Sequence, residues 1–127
     1  MHWIAVVTLL ALVEYLVIGG LVGQARGRYG IKAPATSGHE IFERYFRVHQ
    51  NTMEQLVVFL PALWLFGHYV SPGWGALLGL SFVVGRVLYL RGYVENPEHR
   101  ELGFGIGFVA LALLVIGALL GALRAAL

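Results

Sequence analysis

Four long apolar stretches separated by short polar clusters make up most of this chain. The first, from about residue 2 to 23, is apolar except for Glu14 and a few small polar groups. At ~1.5 Å per residue it is long enough to cross a bilayer core of ~30 Å. It lacks the basic start and short apolar core of a secretory signal, so it reads as a retained helix. Gln24 to Gly38 then reads as a loop, with Arg26, Arg28 and Lys32 set among Gly27, Gly30, Pro34 and Gly38. Ser37 and Glu40 have capping-box spacing and predict a second helix over 39–70. That helix would be roughly 45 Å long, more than the bilayer core needs. Its first half, EIFERYFRVHQNTMEQ, is polar and belongs at or beyond the interface; its second half, LVVFLPALWLF, is lipid-depth. Pro61 predicts a bend within it. After a turn at Ser71-Pro72-Gly73, a third span covers 75–94 and is interrupted by Arg86. Asn96 as N-cap and Pro97 at the first helical position start a fourth, over 97–124.

The pattern predicts an all-α fold, an integral membrane four-helix bundle forming one domain over residues 1–127. Composition strengthens this: 58% of residues are hydrophobic and 13% charged, where a soluble domain carries about 25% charged residues. The absence of cysteine excludes disulfides, thiolate metal sites and a cysteine nucleophile. Charge distribution gives an orientation. Eight of the nine basic residues, Arg26, Arg28, Lys32, Arg44, Arg47, Arg86, Arg91 and Arg100, lie in or beside the first and third loops. Those loops are therefore expected in the cytoplasm, with both termini on the other side. Trp3, Tyr69 and Trp74 then form an aromatic belt at the opposite interface. Glycines four apart in three of the spans (Gly19/Gly23, Gly75/Gly79, Gly103/Gly107, Gly117/Gly121) predict close helix approach.

The chemistry concentrates at the basic end. Arg47, Asn51 and Glu54 are spaced i, i+4, i+7 and share one helix face. Ionisable side chains beside hydrocarbon need partners, water or a ligand. Arg86, Tyr89 and Tyr93 form a second polar face, and Arg100 falls in the first turn of the last helix, where N–H groups already favour an anion. Arginines suit carboxylates or phosphates, Glu54 suits a cation, and Asn51 can engage both edges of an amide. Glutathione, with two carboxylates, an ammonium, two amides and a thiol, matches that inventory. A phospholipid headgroup or an internal salt-bridge network could use the same groups.

Arg47, Asn51 and Glu54 form an R-x-x-x-N-x-x-E motif, and F-L-x-A-L-W follows from Phe59 to Trp64. With G-R-V-L-Y-L-R-G-Y from Gly85 to Tyr93 and the downstream Arg100, this combination resembles the MAPEG family, the membrane-associated proteins of eicosanoid and glutathione metabolism. The microsomal glutathione transferase and cysteinyl-leukotriene synthase branches are the most similar. The resemblance implies a homotrimer with glutathione, the co-substrate, held at subunit interfaces in the cytoplasmic half. It implies that Arg47, His49, Asn51, Glu54, Tyr89 and Tyr93 hold glutathione, that Arg26 reaches its carboxylate end from a neighbouring subunit, and that Arg100 stabilises the thiolate. It implies no metal and no nucleic acid. The second substrate is a lipophilic electrophile entering from the bilayer, in a pocket shaped by Val57, Val58, Leu88 and the last helix; lipid hydroperoxide reduction by the same thiolate is a further expectation. Two positions depart from the leukotriene branch: Gln55 replaces a tyrosine, and Gly27 replaces an arginine. Two rival readings compete with the transferase. One is a small proton-coupled multidrug transporter built around Glu14; the other is a non-catalytic, lipid-binding member of the family.

Overall fold

Backbone polar groups inside a bilayer must be satisfied within the chain, which leaves helices as the simplest solution. The computed structural model describes residues 1–127 as four α-helices: α1 (His2–Tyr29), α2 (Glu40–Tyr69), α3 (Pro72–Glu95) and α4 (Glu101–Ala126), with a 3₁₀ turn over Pro97–Arg100.

Helix ends differ from the sequence expectation in four places. First, α1 continues past residue 23 to Tyr29, so Arg26 and Arg28 stand on its last turn instead of in a loop. Cations there complement the helix dipole, and Gly30 closes the helix at φ 69°, where glycine carries no steric penalty. Second, the cap of α2 is not Ser37. His39 takes the position, its Nδ1 accepting from the Ile41 N–H at 3.1 Å, while Glu43 accepts from the Gly38 N–H at 3.3 Å. Third, α3 begins at Pro72, with the Ser71 hydroxyl accepting from the Trp74 N–H, so only Val70 and Ser71 connect it to α2. Fourth, Asn96 caps the 3₁₀ turn, accepting from the Glu98 N–H at 3.1 Å, and α4 itself begins at Glu101 instead of Pro97 and runs to Ala126.

The bundle runs up, down, up, down. Ile4 on α1 lies against the positions of Gly67 on α2 and Gly75 on α3, whereas Gly19 lies against His49. On α2 and α4, Phe66 meets Gly117 and Tyr69 meets Gly121. Three elements are long and apolar enough to cross a membrane by themselves: α1, α3, and α4 together with the 3₁₀ turn before it. The charged first half of α2 keeps it out of that class, so its crossing follows from its packing along α1 and not from composition alone.

At the apolar end the core gathers Ile4, Val7, Phe59, Leu63, Phe66, Phe82 and Leu114. Phe59 and Phe82 stack with ring centroids 4.0 Å apart. The closest backbone approach is between α3 and α4: a Cβ on Gly103 would collide with the backbone of Tyr89, and one on Gly85 would sit 2.8 Å from the Gly107 nitrogen. Small residues permit this contact, and it places the start of α4 directly against Tyr89. Gly23, by contrast, has open space around it within the chain.

Candidate functional site

A cavity of about 370 Å³ opens at the polar end, lined by Arg47, Gln50, Asn51, Glu54, Tyr89, Tyr93 and Arg100. Its size falls within the ~300–1,000 Å³ range of small-molecule sites. Helical periodicity explains the α2 wall. Arg47, Gln50, Asn51 and Glu54 are spaced i, i+3, i+4, i+7 and lie in one stripe. Tyr89 and Tyr93 are one turn apart on α3, their rings 5.6 Å apart. Arg100 ends the 3₁₀ turn and is tied to its own segment, donating to the Pro97 carbonyl at 3.4 Å.

A second, open cavity of about 600 Å³ adjoins the first and shares Arg47, Gln50 and Tyr93 with it, adding Glu40, Glu43 and Arg44. Arg44 has a structural task there. It pairs with Glu40 at 2.6 Å and donates to the Val94 and Glu95 carbonyls at 2.9 and 3.2 Å. The end of α3 is thereby clamped to α2, which also places the first and third loops at the same end of the bundle.

Arg44–Glu40 is the chain's one ion pair within 4 Å. Arg47, Glu54 and Arg100 line one cavity without pairing with each other. An internal salt-bridge network therefore does not account for this face, and the site offers two guanidinium groups, one carboxylate, two phenols and two amides. Glu101 turns away, into an apolar groove between α3 and α4, so it does not cancel Arg100.

Six of the eight sequence-expected site residues meet in this cavity: Arg47, Asn51, Glu54, Tyr89, Tyr93 and Arg100. His49 does not. Two residues along a helix is ~200° of rotation from Arg47, so His49 faces α1 and stacks on Tyr15 at 4.3 Å. Arg26 is also outside its own chain's cavity; it donates to the Ala35 carbonyl at 2.6 Å and covers the Phe42 ring at 4.9 Å. Gln50 was missed, although its i+3 spacing from Arg47 signals it. Gln55 and Gly27 do not reach the cavity. Arg86 departs most from expectation. Counted among the bases of the cytoplasmic end, it is only 2% exposed and is bound inside the bundle. Its Nη2 donates to Asn51 Oδ1 and Thr52 Oγ1, both at 2.8 Å, and its guanidinium covers the Tyr89 ring at 4.2 Å. Glu14, on α1, has one buried carboxyl oxygen without a partner.

The apolar groove of about 540 Å³ is lined by Leu78, Ser81, Leu102, Gly105, Ile106 and Val109 among others. Val57, Val58 and Leu88, expected to shape a lipid-facing pocket, do not line it.

Three elements long and apolar enough to cross a membrane, with a polar cavity at one end whose charged side chains do not pair with each other, define an integral membrane protein. The chain belongs to the MAPEG family, whose model matches residues 4–120. It is 38% identical over 118 residues to microsomal glutathione S-transferase 2 of Mus musculus, covering 93% of this chain and 80% of that protein. It is 37% identical over 120 residues to leukotriene C4 synthase of Rattus norvegicus, covering 94% and 80%. An uncharacterized protein of Synechocystis is 49% identical over 121 residues, covering 95% and 88%.

Proposed function

We propose that this protein is a glutathione-dependent membrane transferase that turns the bound thiol into a thiolate for attack on a lipophilic electrophile. The observation that carries this reading is the convergence of Arg47, Glu54 and Arg100 on one cavity without mutual pairing, in a chain similar to proteins named for glutathione transfer. Glu54 would take the ammonium of glutathione. Arg47, Gln50, Asn51 and the two tyrosines would take its carboxylates and amides.

Arg100 supplies the chemistry. A free thiol has a pKa of about 8.5 and is a few per cent thiolate at neutral pH. Each unit of lowering requires ~1.4 kcal/mol of preference for the anion. A guanidinium at the start of α4, where backbone N–H groups favour negative charge, supplies it. The thiolate sulfur then bonds to an electrophilic carbon, and the electron pair leaves with the departing group or stays on an opened ring. Attack on the terminal oxygen of a lipid hydroperoxide by the same thiolate is the corresponding reductive outcome: an S–O bond forms as the O–O bond breaks, the lipid leaves as its alcohol, and a second glutathione thiol converts the sulfenic acid to the disulfide with release of water. The groove between α3 and α4, beginning at Leu102 beside Arg100, is where we place the apolar co-substrate.

Arg26 lies outside its own cavity, which supports an assembly in which it serves a neighbour's, as a homotrimer would allow. We orient the cavity to the cytoplasm because the basic residues cluster there. Glutathione-dependent turnover of a simple aromatic electrophile by the purified protein tests the reading. No turnover, together with glutathione binding, would favour a binding protein without chemistry.

A further inference from the structure

Arg86 takes no part in the chemistry above, yet it is the largest of the fully buried side chains. A buried guanidinium needs acceptors for its N–H groups, and those of Arg86 are met only in part, its Nε being buried without a partner. One of its nitrogens meets two acceptors on α2, Asn51 Oδ1 and Thr52 Oγ1, each at 2.8 Å. The Thr52 hydroxyl is itself anchored, donating to the Val48 carbonyl at 2.7 Å. This detail has a consequence for Asn51. A side-chain amide has an acceptor end and a donor end, and either could face a ligand. A guanidinium has donors only, so the oxygen of Asn51 must turn toward Arg86. The two amide N–H donors then turn away from it, on a residue that lines the cavity.

We propose that Arg86 is a positioning residue: by donating to Asn51 Oδ1 it fixes the Asn51 amide with its N–H groups toward the cavity, so that Asn51 pairs only with a carbonyl or carboxylate oxygen of the ligand. The proposal rests on the glutathione reading above and sharpens it. Asn51 does not engage both edges of a ligand amide; it selects for acceptor atoms. Together with Arg47 and Arg100, which only donate, it leaves Glu54, Gln50 and the tyrosine hydroxyls as the groups able to receive a ligand's donors, and Glu54 as the one anion. The site is thereby matched to an acceptor-rich ligand with a single cationic group, placed near Glu54.

Two substitutions test this by titrating glutathione into the full-length protein in detergent, with thermal unfolding as a fold control. Asn51→Asp keeps the acceptor for Arg86 and removes both donors. It is expected to weaken glutathione binding at least tenfold without loss of thermal stability; unchanged or tighter binding overturns the proposal. Arg86→Gln can present an acceptor to Asn51 and so releases the amide. It is expected to lose about fivefold in affinity, the scale of one hydrogen bond, in the native background and essentially nothing in an Asn51→Ala background. Arg86→Lys, which offers donors only, is expected to stay within about twofold of wild type. Equal losses from Arg86→Gln in both backgrounds would show that Arg86 acts through packing alone and overturn the assignment. If the wild type itself binds no glutathione, the transferase reading falls first.

Discussion

The two ends of α2 obey different rules. From Phe59 to Phe66 its inward residues are apolar, and they meet Phe82, Leu114 and Ile4 in close contact. Each large residue there has one job, filling space against small neighbours. From Arg47 to Glu54 the buried positions are Val48 and Thr52, and beside them the polar stripe of Arg47, Gln50, Asn51 and Glu54 is left to face an open cavity. The apolar end is satisfied by the chain itself. The polar end is not, and the groups left over define the ligand. One helix thus carries the support and the site, and the boundary between them falls within two turns.

The sharpest way to break this comparison is to damage the support. Phe59→Ala removes a fully buried ring stacked on Phe82. It is expected to destabilise the protein by about 3 kcal/mol through lost packing, read as a lower unfolding temperature in detergent. Any glutathione affinity that remains in the folded fraction should be near wild type, since the cavity shares no residue with that core. A comparable loss of affinity in the folded fraction would mean the two ends are not separable.

Arg100→Leu acts on the other end. It should leave thermal stability nearly unchanged, because Arg100 is exposed, and glutathione binding largely intact. Conjugation of a model electrophile should fall by about 10²–10³-fold, the scale of losing one preorganised donor to a developing anion. Ultraviolet absorbance of the bound thiolate should fall with it; wild-type turnover would remove Arg100 from the chemistry.

Glu54→Gln keeps the shape and removes the counter-charge for an ammonium. Affinity for glutathione should drop about tenfold, ~1.4 kcal/mol. An analogue lacking the amino group should lose nothing, and equal losses for both ligands would place the ammonium elsewhere. The smallest effect is expected for Gln50→Ala, about threefold in affinity, as for one neutral hydrogen bond at an exposed wall. Calorimetric titration can resolve it.

How far the sequence showed all this depends on the range of the interaction. The R-x-x-x-N-x-x-E stripe was legible because its members lie on one helix, where 3.6-residue periodicity fixes their common face. The all-helical fold was legible from apolar run lengths. His49 lies outside its own chain's cavity because it is close to Arg47 in sequence and nearly opposite in angle. The end of α1 was misplaced because Gly27 looks like a breaker, although a glycine in a final turn interrupts nothing when Arg26 and Arg28 stabilise that turn. Helical spacing sets Arg86 on one face with Tyr89 but gives no sign that it is buried. Its partner Asn51 is 35 positions away, and nothing local says which side of α3 will face α2.

The buried arginine also bears on how the chain enters a membrane. On translocon insertion scales an arginine near the centre of a helix costs about 2.5–3.5 kcal/mol, which disfavours α3 partitioning alone. Its hydrogen-bond acceptors, Asn51 and Thr52, reside on α2, and only Val70 and Ser71 separate the two helices. The α2–α3 hairpin therefore carries its own compensation, and the two helices are best integrated together as one unit at the translocon, with the arginine already matched before lipid closes around it.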